Sequence, residues 1–83
     1  MVDVREPAEW REGHVAGALH LPMLEAVRRL GELPADRPKA VMCAGGLRSS
    51  SVISALEGEG MRNCLNVTGG IAAWIKAGLP TTG

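Results

Sequence analysis

Short apolar runs alternate with amphipathic stretches along this chain, and the alternation predicts its elements. Met1-Val2-Asp3-Val4 reads as a strand, and Pro7 opens a short helix through Trp10 that Gly13 ends. Gly13-His14-Val15-Ala16-Gly17 is a turn, Ala18 to Leu21 a second strand stopped by Pro22, and Met23 to Leu33 a helix with Leu24, Val27 and Leu30 on one face. Pro34 to Pro38 forms a loop into a third strand, Lys39-Ala40-Val41-Met42. A helix from Ser49 to Gly60 carries Val52, Ile53 and Leu56 at helical spacing, and Asn63 to Val67 returns as a fourth strand. Thr68-Gly69-Gly70 turns into a last helix, Ile71 to Ala77, which is expected to bury Ile71, Trp74 and Ile75 before Gly78 and Pro80 end it. Strands separated by crossovers imply an α/β fold: a parallel sheet of about four strands flanked by helices on both faces.

Composition narrows the class. The 83 residues hold one core, and without Phe or Tyr the interior is left to aliphatic side chains and two tryptophans. Nine basic residues balance nine acidic ones, so the basic stripe of a nucleic-acid surface is missing and no nucleic-acid partner is expected. No apolar run approaches the roughly 18 residues of a membrane span, and the first residues lack the basic and apolar regions of a signal peptide. A small cytoplasmic domain with no membrane partner is the expectation. Cys43 and Cys64 lack any metal-binding spacing, so no metal and no cofactor are expected, and Cys64 reads as a small buried hydrophobe.

The chemistry concentrates after the third strand, in Cys43-Ala44-Gly45-Gly46-Leu47-Arg48-Ser49. A thiol at the carboxyl end of a parallel strand sits where such sheets form their sites. The loop turns directly into a helix, whose free N–H groups and dipole favour an anion, and Arg48 adds a full positive charge. This environment stabilises the thiolate of Cys43, so nucleophilic attack by sulfur on an anionic substrate is the expected reaction. Gly45 and Gly46 supply backbone angles that a tight loop requires. Arg48 has two readings of equal weight, contact with the anionic donor or bonds to the loop carbonyls.

Three ordered segments carry a family resemblance. Val2-Asp3-Val4-Arg5-Glu6-Pro7-Ala8-Glu9-Trp10 with Gly13-His14-Val15-Ala16-Gly17-Ala18 resembles the amino-terminal signature of rhodanese-like domains. The Cys43 to Ser49 loop is similar to their active-site loop, and Thr68-Gly69-Gly70-Ile71-Ala72-Ala73-Trp74 with Gly78-Leu79-Pro80 to their carboxyl-terminal signature. The resemblance implies a sulfurtransferase of the thiosulfate sulfurtransferase type. Cys43 would take a sulfane sulfur from a small anionic donor, thiosulfate or a persulfide, and pass it from a Cys43 persulfide to a thiol or cyanide acceptor, a protein thiol included. Ala44, Gly45, Gly46, Leu47, Arg48 and Ser49 would bind the substrate through a ring of N–H groups, as an oxyanion hole does. Asp3 and Arg5 match family positions and would brace the loop through charge-assisted hydrogen bonds. Members usually carry a further strand and helix ahead of the Asp-Val-Arg strand, so residues 1–83 are expected to be one domain lacking that pair or trimmed from a longer protein.

Other chemistries weigh less. Related phosphatases place five residues between cysteine and arginine, whereas four separate Cys43 from Arg48, which crowds a tetrahedral oxyanion and disfavours phosphatase or arsenate reductase action. A non-enzymatic sulfur-relay or regulatory module is the main alternative. His14 reads as a turn-stabilising hydrogen-bonding group, His20 has no assigned role, Trp10 and Trp74 read as core or near-core anchors, and Arg28-Arg29 as a solvated helix face.

Overall fold

The computed structural model describes residues 1–33 and 37–83. Four parallel strands, β1 (Val2–Asp3), β2 (Leu19–His20), β3 (Lys39–Met42) and β4 (Cys64–Asn66), form one sheet in the order β2-β1-β3-β4. Three α-helices connect or follow them: α1 (Pro7–Glu12), α2 (Leu47–Gly58) and α3 (Gly70–Lys76). The register pairs Asp3 with both His20 and Met42, and Val41 with Asn66, so every strand points its carboxyl end toward the segment that begins at Cys43. The α/β fold expected from the alternation is the one observed.

Alternation along the strands decides which side chains meet which helix. Val2, Val4, Val41 and Cys43 point to one face and join Leu21, Ala26, Leu33, Val52 and Leu56 in the core under α2. Asp3 and Arg5 point to the other, where Arg5 reaches the carbonyls of Glu9 and Gly13 and so ties α1 to that face. Asp3 and Arg5 are both buried, and their bidentate pairing compensates the desolvation of each charge.

Three expectations are corrected. Between β2 and β3 there is no continuous helix from Met23 to Leu33 but two short 3-10 turns, Met23–Glu25 and Leu30–Glu32. Tight turns bring residues three apart onto one face, so Ala26 and Leu33 are buried with Met23 and Leu30 packed against them. Leu24 is turned outward, at 86% exposure, and Val27 with it. The expected loop over 34–38 falls largely outside the described residues. At the carboxyl end only Ile71 of the expected trio is buried: Ile75 is 58% exposed, and Trp74 is half-buried with its indole N–H donating to the Pro80 carbonyl. α3 is only seven residues long, and Gly70 and Ile71 are its buried positions. Thirdly, α2 begins at Leu47 rather than Ser49, because Gly46 takes φ 102° and caps the helix there.

The bland readings of His14 and Arg28-Arg29 hold, while Cys64 and Trp10 are less buried than a core position. His14 Nδ1 bonds the Trp10 carbonyl, and its backbone pairs with Thr82. Arg28 pairs with Glu25 and Arg29 with Glu32 on an exposed face. Trp10 is half-buried and stacked between His14 and His20 rather than sunk in the core. Cys64 is likewise only half-buried, packed against the core, and burial pushes its thiol up.

Candidate active site

Cys43 follows the last residue of β3, and three residues, Ala44, Gly45 and Gly46, carry the chain into α2. So tight a reversal leaves the loop carbonyls pointing away from the sulfur, where they need partners of their own. α3 provides them. The N–H groups of Ile71 and Ala72 donate to the carbonyls of Cys43 and Ala44 at 2.9 and 3.2 Å. That approach requires Gly70, whose φ is +58°: a Cβ there would lie 2.2 Å from the Cys43 carbonyl oxygen and 2.6 Å from the Ala44 carbonyl.

With the carbonyls held outward, N–H groups face the sulfur. Gly46 N–H donates to Cys43 Sγ at 3.0 Å, and the Ser49 hydroxyl lies 3.4 Å from the same atom. Burial, the largest single influence, pushes the thiol up. Hydrogen bonds from the Ser49 side chain and from the amides of Ser49, Gly46 and Gly45 outweigh it and bring Cys43 to about 7, against an ordinary 9.0. Cys43 is 1% exposed, so its sulfur lies at the closed floor of the loop and a donor must displace part of the cover to reach it.

Ser49 is itself buried and positioned by Asn66, a residue the sequence reading passed over. Its hydroxyl donates to Asn66 Oδ1 at 2.6 Å, while Asn66 Nδ2 donates to the Gly46 carbonyl at 3.2 Å. A hydroxyl has one hydrogen. In the thiol state, therefore, Cys43 donates to Ser49 and Ser49 to Asn66; in the thiolate state the Ser49 hydrogen turns to sulfur. The signal for Asn66 was present in the strand period, because Cys64 packs inward and the residue two along shares its face.

The Arg48 guanidinium pairs with Glu9 rather than with the loop carbonyls. Both terminal nitrogens donate to the Glu9 carboxylate, Nη1 to Oε1 at 2.7 Å and Nη2 to Oε2 at 2.9 Å. The hydrogen bond from Arg48, its largest influence, holds the Glu9 carboxyl at about 2, and Glu9 in turn raises the Arg48 guanidinium above its ordinary value. Glu9 Oε1 also accepts the Glu6 backbone N–H at 3.0 Å, which fixes the carboxylate at the start of α1. Leu47 contributes an 83% exposed side chain beside the loop, and Ala44 and Gly45 contribute only backbone. Arg5 donates to the Asp3 carboxylate and to the carbonyls of Glu9 and Gly13, so the pair ties β1 to α1. No group of three or more His, Cys, Asp or Glu able to hold a metal occurs among the described residues. Among them, too, no helix is long and apolar enough to cross a membrane.

Comparison with known proteins shows which family has this sequence and fold. A sulfurtransferase of Allochromatium vinosum is 41% identical over 80 residues, covering 96% of this chain and 75% of that protein. The thiosulfate sulfurtransferase GlpE of Vibrio cholerae is 32% identical over 80 residues, covering 96% of this chain and 76% of its own. The crystal structure of a rhodanese-related protein from Thermoplasma volcanium superimposes with a TM-score of 0.89 at 37% identity, over 99% of this chain and 82% of that one. Since the family model for the rhodanese-like domain matches residues 1–77, which include the whole sheet, the Cys43 loop and α3, the chain belongs to the rhodanese-like domain family.

Proposed function

We propose that this protein is a sulfurtransferase that carries a sulfane sulfur on Cys43. One observation carries the reading: a buried cysteine whose sulfur receives the Gly46 N–H at 3.0 Å and is held at about 7. Half of it is thiolate near neutral pH, and the same donors suit the negative outer sulfur of a persulfide. With thiosulfate, the Cys43 thiolate attacks the outer sulfur, an S–S bond forms, the donor's own S–S bond breaks, and its electron pair leaves with sulfite. The Cys43 persulfide then gives its outer sulfur to a thiolate or to cyanide, and the Cys43 thiolate returns. Charge and electrons balance without a cofactor. Gly45, Gly46 and Ser49 are the groups that meet the sulfur; Ala44, Leu47 and Arg48 line the loop; Asp3 and Arg5 support α1. The activity is assigned to residues 1–83 acting as one domain, and two free thiols suit the reducing cytoplasm.

Steady-state turnover tests the reading. With a sulfane donor and cyanide, thiocyanate should form with parallel double-reciprocal lines, the pattern of a covalent intermediate. Intersecting lines, or turnover that survives Cys43→Ser, would overturn it. A relay module, in which a partner opens the loop before sulfur moves, is favoured by the closed cover over Cys43. It predicts slow charging by small donors and fast charging by a persulfidated protein.

A further inference from the structure

Resting on that reading, we infer that Glu9 sets the charge of the donor: by occupying Arg48 it turns the Cys43 site away from dianions such as thiosulfate and toward thiol persulfides.

The argument begins with the charges around the loop. Ala44, Gly45, Gly46 and Leu47 carry none. Arg48 is a cation within electrostatic reach of Cys43, and both its terminal nitrogens are spent on Glu9 in a two-point pairing of residues 39 apart in sequence. Arg5 is committed to Asp3 and two carbonyls. Glu9 is not free to swing aside, because the Glu6 N–H holds the oxygen that Arg48 Nη1 also uses. The pair is partly shielded, with 31% and 34% of the two side chains exposed, so it is screened less than a fully solvated one.

A donor therefore meets peptide dipoles and a neutral ion pair, not a free cation. Thiosulfate brings two negative charges toward a thiolate and leaves as a sulfite dianion beside the Glu9 carboxylate. A hydropersulfide, R–S–S–H, brings at most one. The Cys43 thiolate attacks its outer sulfur, the S–S bond forms while the donor's breaks, and the electron pair leaves as R–S⁻. The proton of the new Cys43 hydropersulfide passes to that leaving thiolate, so the products are R–SH and a Cys43 persulfide anion. The amides that face Sγ are enough to hold this single charge.

The test compares donors on one protein. Wild type, Glu9→Gln and Glu9→Ser are mixed in turn with thiosulfate and with cysteine persulfide, and the rate of gaining one sulfur is followed by intact mass. A glutamine still accepts the Glu6 N–H, and serine offers an independent uncharged variant should the first fold poorly. The expected result is a thiosulfate-to-persulfide rate ratio at least tenfold higher in both variants, with the thiosulfate rate now falling steeply as salt is added. A purely structural role for Glu9 would change both donors together and leave the ratio alone. A ratio within twofold of wild type in both variants, or wild type charging faster with thiosulfate than with cysteine persulfide, overturns the inference. Failure of both donors on wild type defeats the sulfurtransferase reading itself, and the inference with it. A persulfidated serum albumin in place of cysteine persulfide repeats the comparison with a protein source; a rise in the thiosulfate-to-persulfide ratio in both variants supports the proposal, and its absence overturns it.

Discussion

Replacing Ser49 by alanine isolates the hydroxyl contribution to the Cys43 thiolate. The substitution removes the oxygen 3.4 Å from Sγ and leaves the Gly46 N–H at 3.0 Å in place. Hydrogen bonds to charged groups contribute about 1.5–3 kcal/mol, and a long one to sulfur belongs at the bottom of that range. About 1.4 kcal/mol is one decade, so Cys43 should move from about 7 to about 8. At pH 7 the thiolate fraction falls from about a half to about a tenth. Each remaining thiolate is intrinsically about threefold more nucleophilic, since reactivity rises with basicity, so the observed rate at pH 7 drops only about twofold and the high-pH plateau rises about threefold. The informative quantity is therefore the midpoint of the rate–pH profile for iodoacetamide alkylation in a Cys64→Ser background. Opening of the loop cover scales every point alike and does not move that midpoint. A wild-type midpoint near 9, or a Ser49→Ala midpoint unchanged from wild type, would refute the hydrogen-bond account.

Three more predictions come from the same geometry. Cys43 is lower in the folded state than the ordinary 9.0, so the unfolded chain holds more protons between about pH 7 and 9 and stability rises across that window, by up to about 2.7 kcal/mol. Urea midpoints should climb from pH 7 to 9 in wild type and stay flat in Cys43→Ser; equal slopes would count against the shift. Glu9 lies at about 2, against 4.5 in the unfolded chain, so its pairing stabilises above pH 4.5 and is lost as pH falls through about 2. Because the pair is about one-third exposed, Glu9→Gln should remove only about 1 kcal/mol of that acid dependence in chemical denaturation. Gly70→Ala should destabilise by about 3 kcal/mol through backbone overlap with Cys43 and Ala44, whereas Gly17→Ala, with φ +82° but open space around it, should cost only about 1 kcal/mol in the same unfolding assay.

Much of this was legible before the structure. The apolar runs marked all four strands, and the thiol followed by two glycines located the loop, because period and turn chemistry are local properties. What escaped depends on tertiary placement. Glu9 and Arg48 are far apart in sequence, and nothing local says that a residue of α1 will meet the first turn of α2. Gly69-Gly70 served as a signature, yet its physical role is the approach of α3 to the carbonyls of Cys43 and Ala44. The segment after Pro22 misled for a different reason: Leu24, Val27 and Leu30 satisfy a helical stripe, but Met23, Ala26, Leu30 and Leu33 satisfy another set, and packing against Leu21 and Val52 selected the second. Periodicity alone does not choose between two overlapping apolar faces.

The central claim is that Cys43 holds the travelling sulfur, and peptide-resolved mass spectrometry tests it most directly. After treatment with a sulfane donor and removal of the excess, the account predicts one extra sulfur atom on the peptide containing Cys43, released by cyanide and absent from Cys43→Ser. Sulfur found instead on Cys64, or no sulfur gained from either thiosulfate or a persulfide, would contradict it.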